Sequence, residues 1–432
     1  MSARAAVAPA LDHQLPSLEM TWAAMRLSGL LGATADRHTS RTAFRDQAGR
    51  ETWSGRPPVE WTYPIAYEVI ERLSQFFVQM KLPPKSPIGI CLPNGSEACL
   101  TILAVEHAGL IPCLLPVAWP ENDLAAAVEE ANITAVVTQA MVGDERPAEM
   151  FRRLALRYFG LRFIAAYGPM VPDGVSDLDK VMLGSEGLDA RAIPSAEPTT
   201  ENGIVTFRRQ GNRISPVFRP CQSVVAAAVT FLVTARIRAG DRIISLTAPD
   251  DHCGLTTGLI ASLLSGATLE CHGLFSARAF VEALDDPRPT HLVAPAWMEP
   301  TLARATLPEG VLSVILIHEA PARFKAKTAL KTPTIDVLAF GELAVIAAPR
   351  KGSGQFSLSL DEDGGHGNAT TRHFLRVRRD EEGSLEFGGL AAETQGFGRG
   401  AATQLTKPEW RRSGFKAEMF AGILIGVSEE GR

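Results

Sequence analysis

The chain has 432 residues, a formal net charge of −5, 46% apolar residues and 21% charged ones. Acidic and basic residues are mixed along its length, so no basic face exists for nucleic acid or an anionic membrane. The longest apolar region, 99–119, is broken by Glu106, His107, Pro112 and Pro116, which excludes a bilayer span and leaves a cytoplasmic protein as the simplest expectation.

A chain of this length buries a large core and divides into two or three domains or subdomains. Six cysteines (Cys91, Cys99, Cys113, Cys221, Cys253, Cys271) form no C-x-x-C pair and read as buried reduced thiols. Residues 1–30 lack an apolar signal core and read as a disordered leader. Apolar spacing at Ile65, Val69, Leu73, Phe76 and Met80 predicts a helix over 63–80. A strand at 88–92 ends at Pro93-Asn94-Gly95, and helix 97–108, strand 110–115, helix 122–131 (Asn122 as N-cap) and strand 133–138 follow. The rhythm returns after a Pro/Gly/Ser/Asp-rich connecting segment at 171–200. Strands are predicted at 242–247, 267–271, 291–294, 312–318 and 335–340, and helices at 223–235, 255–264, 277–284 and near 324–330.

This alternation predicts an α/β fold: parallel sheets covered by helices, with one subdomain at 31–170 and another at 201–349. Residues 350–432, with Gly- and charge-rich 351–370 and β-like runs at 373–377 and 384–387, read as a small β-rich appendage.

The segment V-T-F-R-R-Q-G-N-R-I-S-P-V-F-R-P (205–220) stands between a strand signal and a helix, the setting of a phosphate-binding loop. Such a loop needs small residues whose backbone N–H groups close on phosphate oxygens. This one has Phe207, Arg208, Arg209 and Gln210, with Gly211 as its single glycine. A solvated basic turn is the plainer reading.

A set of ordered segments resembles the adenylate-forming superfamily of acyl-CoA synthetases, peptide-synthetase adenylation domains and luciferases. They are W-T-Y-P-I-A-Y-E-V-I-E-R-L-S (61–74), P-I-G-I-C-L-P-N-G-S-E (87–97), A-G-L-I-P-C-L-L-P (108–116), A-P-D-D-H-C-G-L-T-T-G (248–258), T-H-L-V-A-P-A-W-M (290–298), L-S-V-I-L-I-H-E-A-P (312–321) and P-E-W-R-R-S-G-F-K-A-E (408–418). The resemblance implies two α/β subdomains plus a distorted β-barrel. It also implies a reaction in which a carboxylate attacks the α-phosphate of Mg·ATP and the acyl group passes to a thiol such as CoA.

The implied nucleotide motifs differ here. Where the family has T-S-G-T-T-G-x-P-K, this chain has T-F-R-R-Q-G-N-R-I from Thr206 to Ile214, leaving Thr206, Arg208, Arg209, Gly211 and Arg213 as candidate anion-binding residues. Where the family has Y-G-x-T-E, this chain has Phe340, Gly341, Glu342, Leu343 and Ala344. Phe340 is a candidate ring-stacking residue and Glu342 a displaced carboxylate. Glu319, Ala320 and Pro321 take the adenine-side position. Phe415 stands where a ribose-binding aspartate is implied, and phenylalanine accepts no hydrogen bond. The chain ends near the family's hinge, so the C-terminal lysine-bearing domain is expected to be absent. No catalytic residue and no metal ligand is assigned.

His252, Gly254 and Trp297 are candidates for the wall of an acid pocket, with His252 read as a pocket or core histidine rather than a catalytic one. The run Asp361-Glu362-Asp363-Gly364-Gly365 lacks calcium-loop spacing. Three expectations stand. The leading one is a non-catalytic binding or regulatory homologue for an acyl or aryl acid or thioester, with no cofactor. The second is a divergent AMP-forming acid–thiol ligase using Mg·ATP and CoA with a separate C-terminal domain. The third is an interaction subunit of a full-length relative.

Overall fold

The computed structural model describes residues 25–184, 202–211, 213–323, 330–350, 369–399, 408–420 and 423–430. Two eight-stranded, mostly parallel sheets and one five-stranded antiparallel sheet form its framework. The predicted helix at 324–330 and the acidic run at 361–365 fall largely or wholly outside the described residues, as does most of the leader.

The first sheet runs, edge to edge, through Gln395–Gly396, Arg213–Pro220, Gly203–Gln210, Ile111–Leu114, Pro87–Ile90, Ala135–Gln139, Phe163–Tyr167 and Ser176–Asp177. The second runs through Val345–Pro349, Thr334–Ala339, Val311–Glu319, Thr290–Pro295, Arg242–Ser245, Thr268–Cys271, Thr42–Asp46 and Glu60–Thr62. The two sheets exchange chain segments. Thr42–Asp46 pairs in parallel with Thr268–Cys271, and Gly203–Gln210 meets Ile111–Leu114. Contiguous boundaries at 170 and 201 therefore do not describe which residues pair.

Helices Tyr63–Gln79, Ser96–His107 and Cys221–Ala235 contribute to one apolar core that also takes residues from both sheets. Helix Tyr63–Gln79 starts as its sequence dictates: Thr62 Oγ1 accepts the Ile65 N–H, and Pro64 occupies the first turn, where its missing N–H costs nothing. Ser96–His107 is buried all round, Glu106 included. That carboxylate accepts the Ser28 N–H at 3.1 Å and the Ser28 hydroxyl at 2.8 Å, at the start of helix Leu27–Arg37. Residues 27–30, read as leader, thus belong to a packed helix.

Two further expectations change. Helix Glu121–Glu130 takes Pro120 as its N-cap, so Asn122 lies within the first turn. Residues 369–374 are helical, and the strand begins only at Arg376. The third sheet, ordered Ala322–Arg323, Ile423–Glu429, Trp410–Phe420, Ser384–Gly388 and Arg376–Arg379, is open: no closed barrel forms among the described residues. No described helix is long and apolar enough to cross a membrane. All six cysteines are free and buried.

Candidate functional site

In open parallel sheets, ligands collect beyond the carboxyl ends of strands. Here the chain leaving Ile111–Leu114, Arg242–Ser245, Val311–Glu319 and Thr334–Ala339 converges on a cavity of about 720 Å³. Its wall brings together Arg208, Arg209 and Gly211, then Glu319 and Ala320, then Phe340, Gly341 and Glu342, and finally Ser413, Gly414 and Phe415. Segments more than 200 residues apart in sequence thus meet in one place. Thr206, Arg213 and Pro321 do not line this cavity.

The 203–220 segment is a β-hairpin. Gly203 pairs with Pro220, the antiparallel register runs out to Gln210 opposite Arg213, and helix Cys221–Ala235 starts directly after it. The ladder uses the backbone N–H groups that a phosphate cradle would leave free. Gly211 sits at the turn with φ +57°, where a side chain would be strained. Side chains alternate: Val205 and Phe207 enter the apolar core, Phe207 meeting Trp119 edge-on at 6.2 Å. Arg209 reaches Asp123 at 3.0 Å, Arg208 is half-buried at the cavity wall, and Arg213 is exposed.

Residues 340–344 form the turn joining strands Thr334–Ala339 and Val345–Pro349, closed by the Phe340 N–H donating to the Ala344 carbonyl at 2.9 Å. Phe340 is buried, with its ring 4.6 Å from Phe387 and 6.1 Å from Phe415, tilted against both. Glu342 is buried and accepts the His252 N–H at 3.3 Å. The fully buried Arg219 donates to the Glu342 carbonyl oxygen and to Ser223 Oγ at 3.3 Å. Its charge is spent inside the wall rather than in the cavity.

Six carboxylates face this space: Asp250, Asp251, Glu319, Glu342, Glu429 and Glu430. Burial, then the neighbouring Asp251, pushes Asp250 up to about 7. Burial also lifts Asp251 to about 6, against the Gly254 N–H that it caps at 2.6 Å. Burial and Asp251 together raise Glu342 to about 7. Burial, reinforced by Arg219, holds His252 neutral by lowering its pKa well below the usual value.

A second cavity, about 420 Å³, shares Asp251, Cys253 and Glu319 with the first and is otherwise lined by residues that include Gly254, Ala296, Trp297, Ile317 and His318. Gly254 belongs there because a Cβ would stand 1.9 Å from the Ala248 carbonyl oxygen. The short helix His252–Gly254 continues as a π-helical segment, Leu255–Leu259. Trp297 lines this cavity from the outside, with 77% of its surface exposed; His252 is fully buried and does not line it.

Neither the place of Asp250 and Asp251 on the cavity wall nor the internal charge of Arg219 was legible in the sequence. D-D beside H-C was visible, but which of four adjacent side chains turns toward a cavity depends on the helix entry. A buried ion-pair network between the sheets also carried no sequence signal: Arg50 with Asp46 and with Glu97 at 2.7 Å, and Arg56 with Glu97 and with Asp179 at 2.6 Å.

Residues 31–162 match the AMP-binding enzyme family. The chain is 23% identical over 272 residues to a linear gramicidin synthase of Brevibacillus parabrevis, covering 61% of this chain and 3% of that protein. It is 23% identical over 233 residues to the 3-[(3aS,4S,7aS)-7a-methyl-1,5-dioxo-octahydro-1H-inden-4-yl]propanoyl:CoA ligase of Mycobacterium tuberculosis, covering 53% of this chain and 44% of that one. The chain therefore matches less than half the length of these curated relatives. Among solved structures, Mycobacterium smegmatis MbtA superposes with a TM-score of 0.76 at 17% identity, covering 97% of this chain and 78% of that one. The N-terminal domain of FACL13 from Mycobacterium tuberculosis gives 0.69 at 16% identity, covering 94% and 99%. A benzoate CoA ligase from Burkholderia xenovorans gives 0.68 at 16% identity, covering 94% and 80%. The fold is that of the large N-terminal domain of adenylate-forming enzymes, and residues 31–162 carry the AMP-binding family match.

Proposed function

We propose that this protein is a non-adenylating relative of acid:CoA ligases, and that it binds an acyl or aryl acid, or the corresponding thioester, in the cavity of about 420 Å³. The observation that carries this reading is the charge of the adjoining larger cavity. Six carboxylates face the space where the nucleotide-motif positions meet, while Arg209 is paired with Asp123 and Arg219 is turned into the wall. The wall offers a triphosphate few free cations and several acidic groups, three of them raised to about 6 or 7 by burial. Phe340 and Phe415 pack on each other where a nucleotide would need a free ring face and a ribose acceptor. These features support a ligand other than Mg·ATP.

The test is a melting series on the whole chain. Each bound ligand raises the melting temperature by mass action. Aryl or medium-chain carboxylic acids, or their thioesters, are expected to raise it and Mg·ATP to leave it unchanged. A shift with Mg·ATP alone would overturn the proposal.

A second reading, an AMP-forming acid–thiol ligase, draws on the convergence of the Arg208, Phe340 and Phe415 segments on one cavity. Acid-dependent exchange of pyrophosphate into ATP is its test; absence of exchange across a panel of acids rejects it.

A further inference from the structure

A third cavity, larger than these two, lies elsewhere. It measures about 1020 Å³, shares no lining residue with the nucleotide-motif cavity, and sits at the amino-terminal ends of the second sheet's strands. Asp241, His291 and Ser313 line it together. His291 Nε2 is 3.2 Å from Asp241 Oδ2, and His291 Nδ1 is 2.8 Å from Ser313 Oγ. A carboxylate accepts but does not donate, so the imidazole proton belongs on Nε2, and the lone pair of Nδ1 faces the serine hydroxyl.

The backbone is shaped to make this contact. Strands Thr290–Pro295 and Val311–Glu319 pair in parallel, but the register slips between Thr290 opposite Val311 and His291 opposite Ser313. The slip passes over Leu312, which is left 46% exposed, and sets Ser313 beside His291. Bulges are uncommon in parallel pairs and tend to re-aim side chains next to active sites. Asp241 is held in turn by the Arg238 N–H at 2.7 Å. Burial lowers the His291 pKa, against the pull of Asp241, which keeps the ring available as a base. Arg236 and Arg238 line the same cavity, are exposed, and make no ion pair among the described residues.

We propose that Asp241, His291 and Ser313 form a second, hydrolytic site, which cleaves a carboxylic ester or thioester bearing a negative charge. Ser313 Oγ attacks the carbonyl carbon while its proton passes to His291 Nδ1, and Asp241 holds the Nε2–H of the imidazolium. Collapse breaks the bond to the alcohol or thiol, which takes the proton from His291. Water adds to the acyl-serine by the same route, releasing the carboxylic acid and restoring Ser313. Arg236 and Arg238 supply positive charge at the cavity for the substrate's anionic group.

The experiment uses the whole chain and a fluorophosphonate probe, which phosphonylates an activated serine with loss of fluoride. Peptide mass mapping is expected to place the adduct on Ser313, with none in Ser313→Ala. Labelling should slow by about a hundredfold or more in His291→Gln. A second test uses the exposed double variant Arg236→Ala/Arg238→Ala, which leaves the core intact. Its hydrolysis of an anionic p-nitrophenyl ester should fall at least about tenfold more than its hydrolysis of p-nitrophenyl acetate. A folded wild-type protein whose Ser313 takes no probe, or equal labelling of His291→Gln and wild type, overturns the proposal. Equal loss on both esters in the arginine variant overturns the substrate charge assigned.

Discussion

The Glu342 carboxylate accepts the backbone N–H of His252 at 3.3 Å, tying the 340–344 turn to the start of the helix that His252 opens. This bond places a buried acid beside Asp251, and the two share the cavity wall with Asp250.

The cluster sets a pH dependence whose sign follows from linkage. Asp250 and Glu342 titrate at about 7 and Asp251 at about 6, all raised by burial. Between about pH 4 and pH 7 the native state then holds more protons than the unfolded chain, so these groups' contribution to stability falls as pH rises and levels off above about 7. The melting temperature should be higher by a few degrees near pH 5.5 than near pH 7.5. The double variant Asp250→Asn/Glu342→Gln should flatten most of that slope, and a slope unchanged by it would contradict the assignment.

Gly254→Ala tests the close approach of the chain at residue 248. The added Cβ would lie 1.9 Å from a backbone oxygen, which no side-chain rotation relieves. We expect a loss of roughly 2–4 kcal/mol in urea denaturation, in the range of overpacked sites.

Arg50 is buried between Asp46 and Glu97, with 1% of its side chain exposed. Arg50→Met leaves the buried Asp46 without its cation, while Glu97 keeps only Arg56. Such broken buried pairs cost about 3–5 kcal/mol, which denaturant titration would read directly.

Arg209→Ala should behave differently. Its partner Asp123 is 3.0 Å away and nearly half the arginine side chain is exposed, so the expected cost is below about 1 kcal/mol. Binding of the stabilising acid or thioester should be unchanged, as measured by titration calorimetry.

The α/β rhythm was legible because it rests on local periodicity. Helix Tyr63–Gln79 and the strands at 88–90, 111–114 and 135–138 are written in apolar spacing and turn residues. The ordered family-like segments likewise marked which stretches would meet at the site. Other features had no local signal. The 203–220 hairpin and a strand-turn-helix share the same apolar run, and only pairing with Ile111–Leu114 distinguishes them. Trp297 has the composition of a pocket wall, yet 77% of its surface is exposed.

By itself, then, the sequence determined the element types, the sheet class and the positions at which the nucleotide motifs differ. Tertiary structure decided which charges share a cavity, because side-chain direction depends on register and helix entry. It drew Asp250, Asp251 and Glu342 together, and spent Arg219 inside the wall. Through one slip between parallel strands it also set Ser313 against His291, a contact between residues 22 positions apart that no spacing in the chain announces.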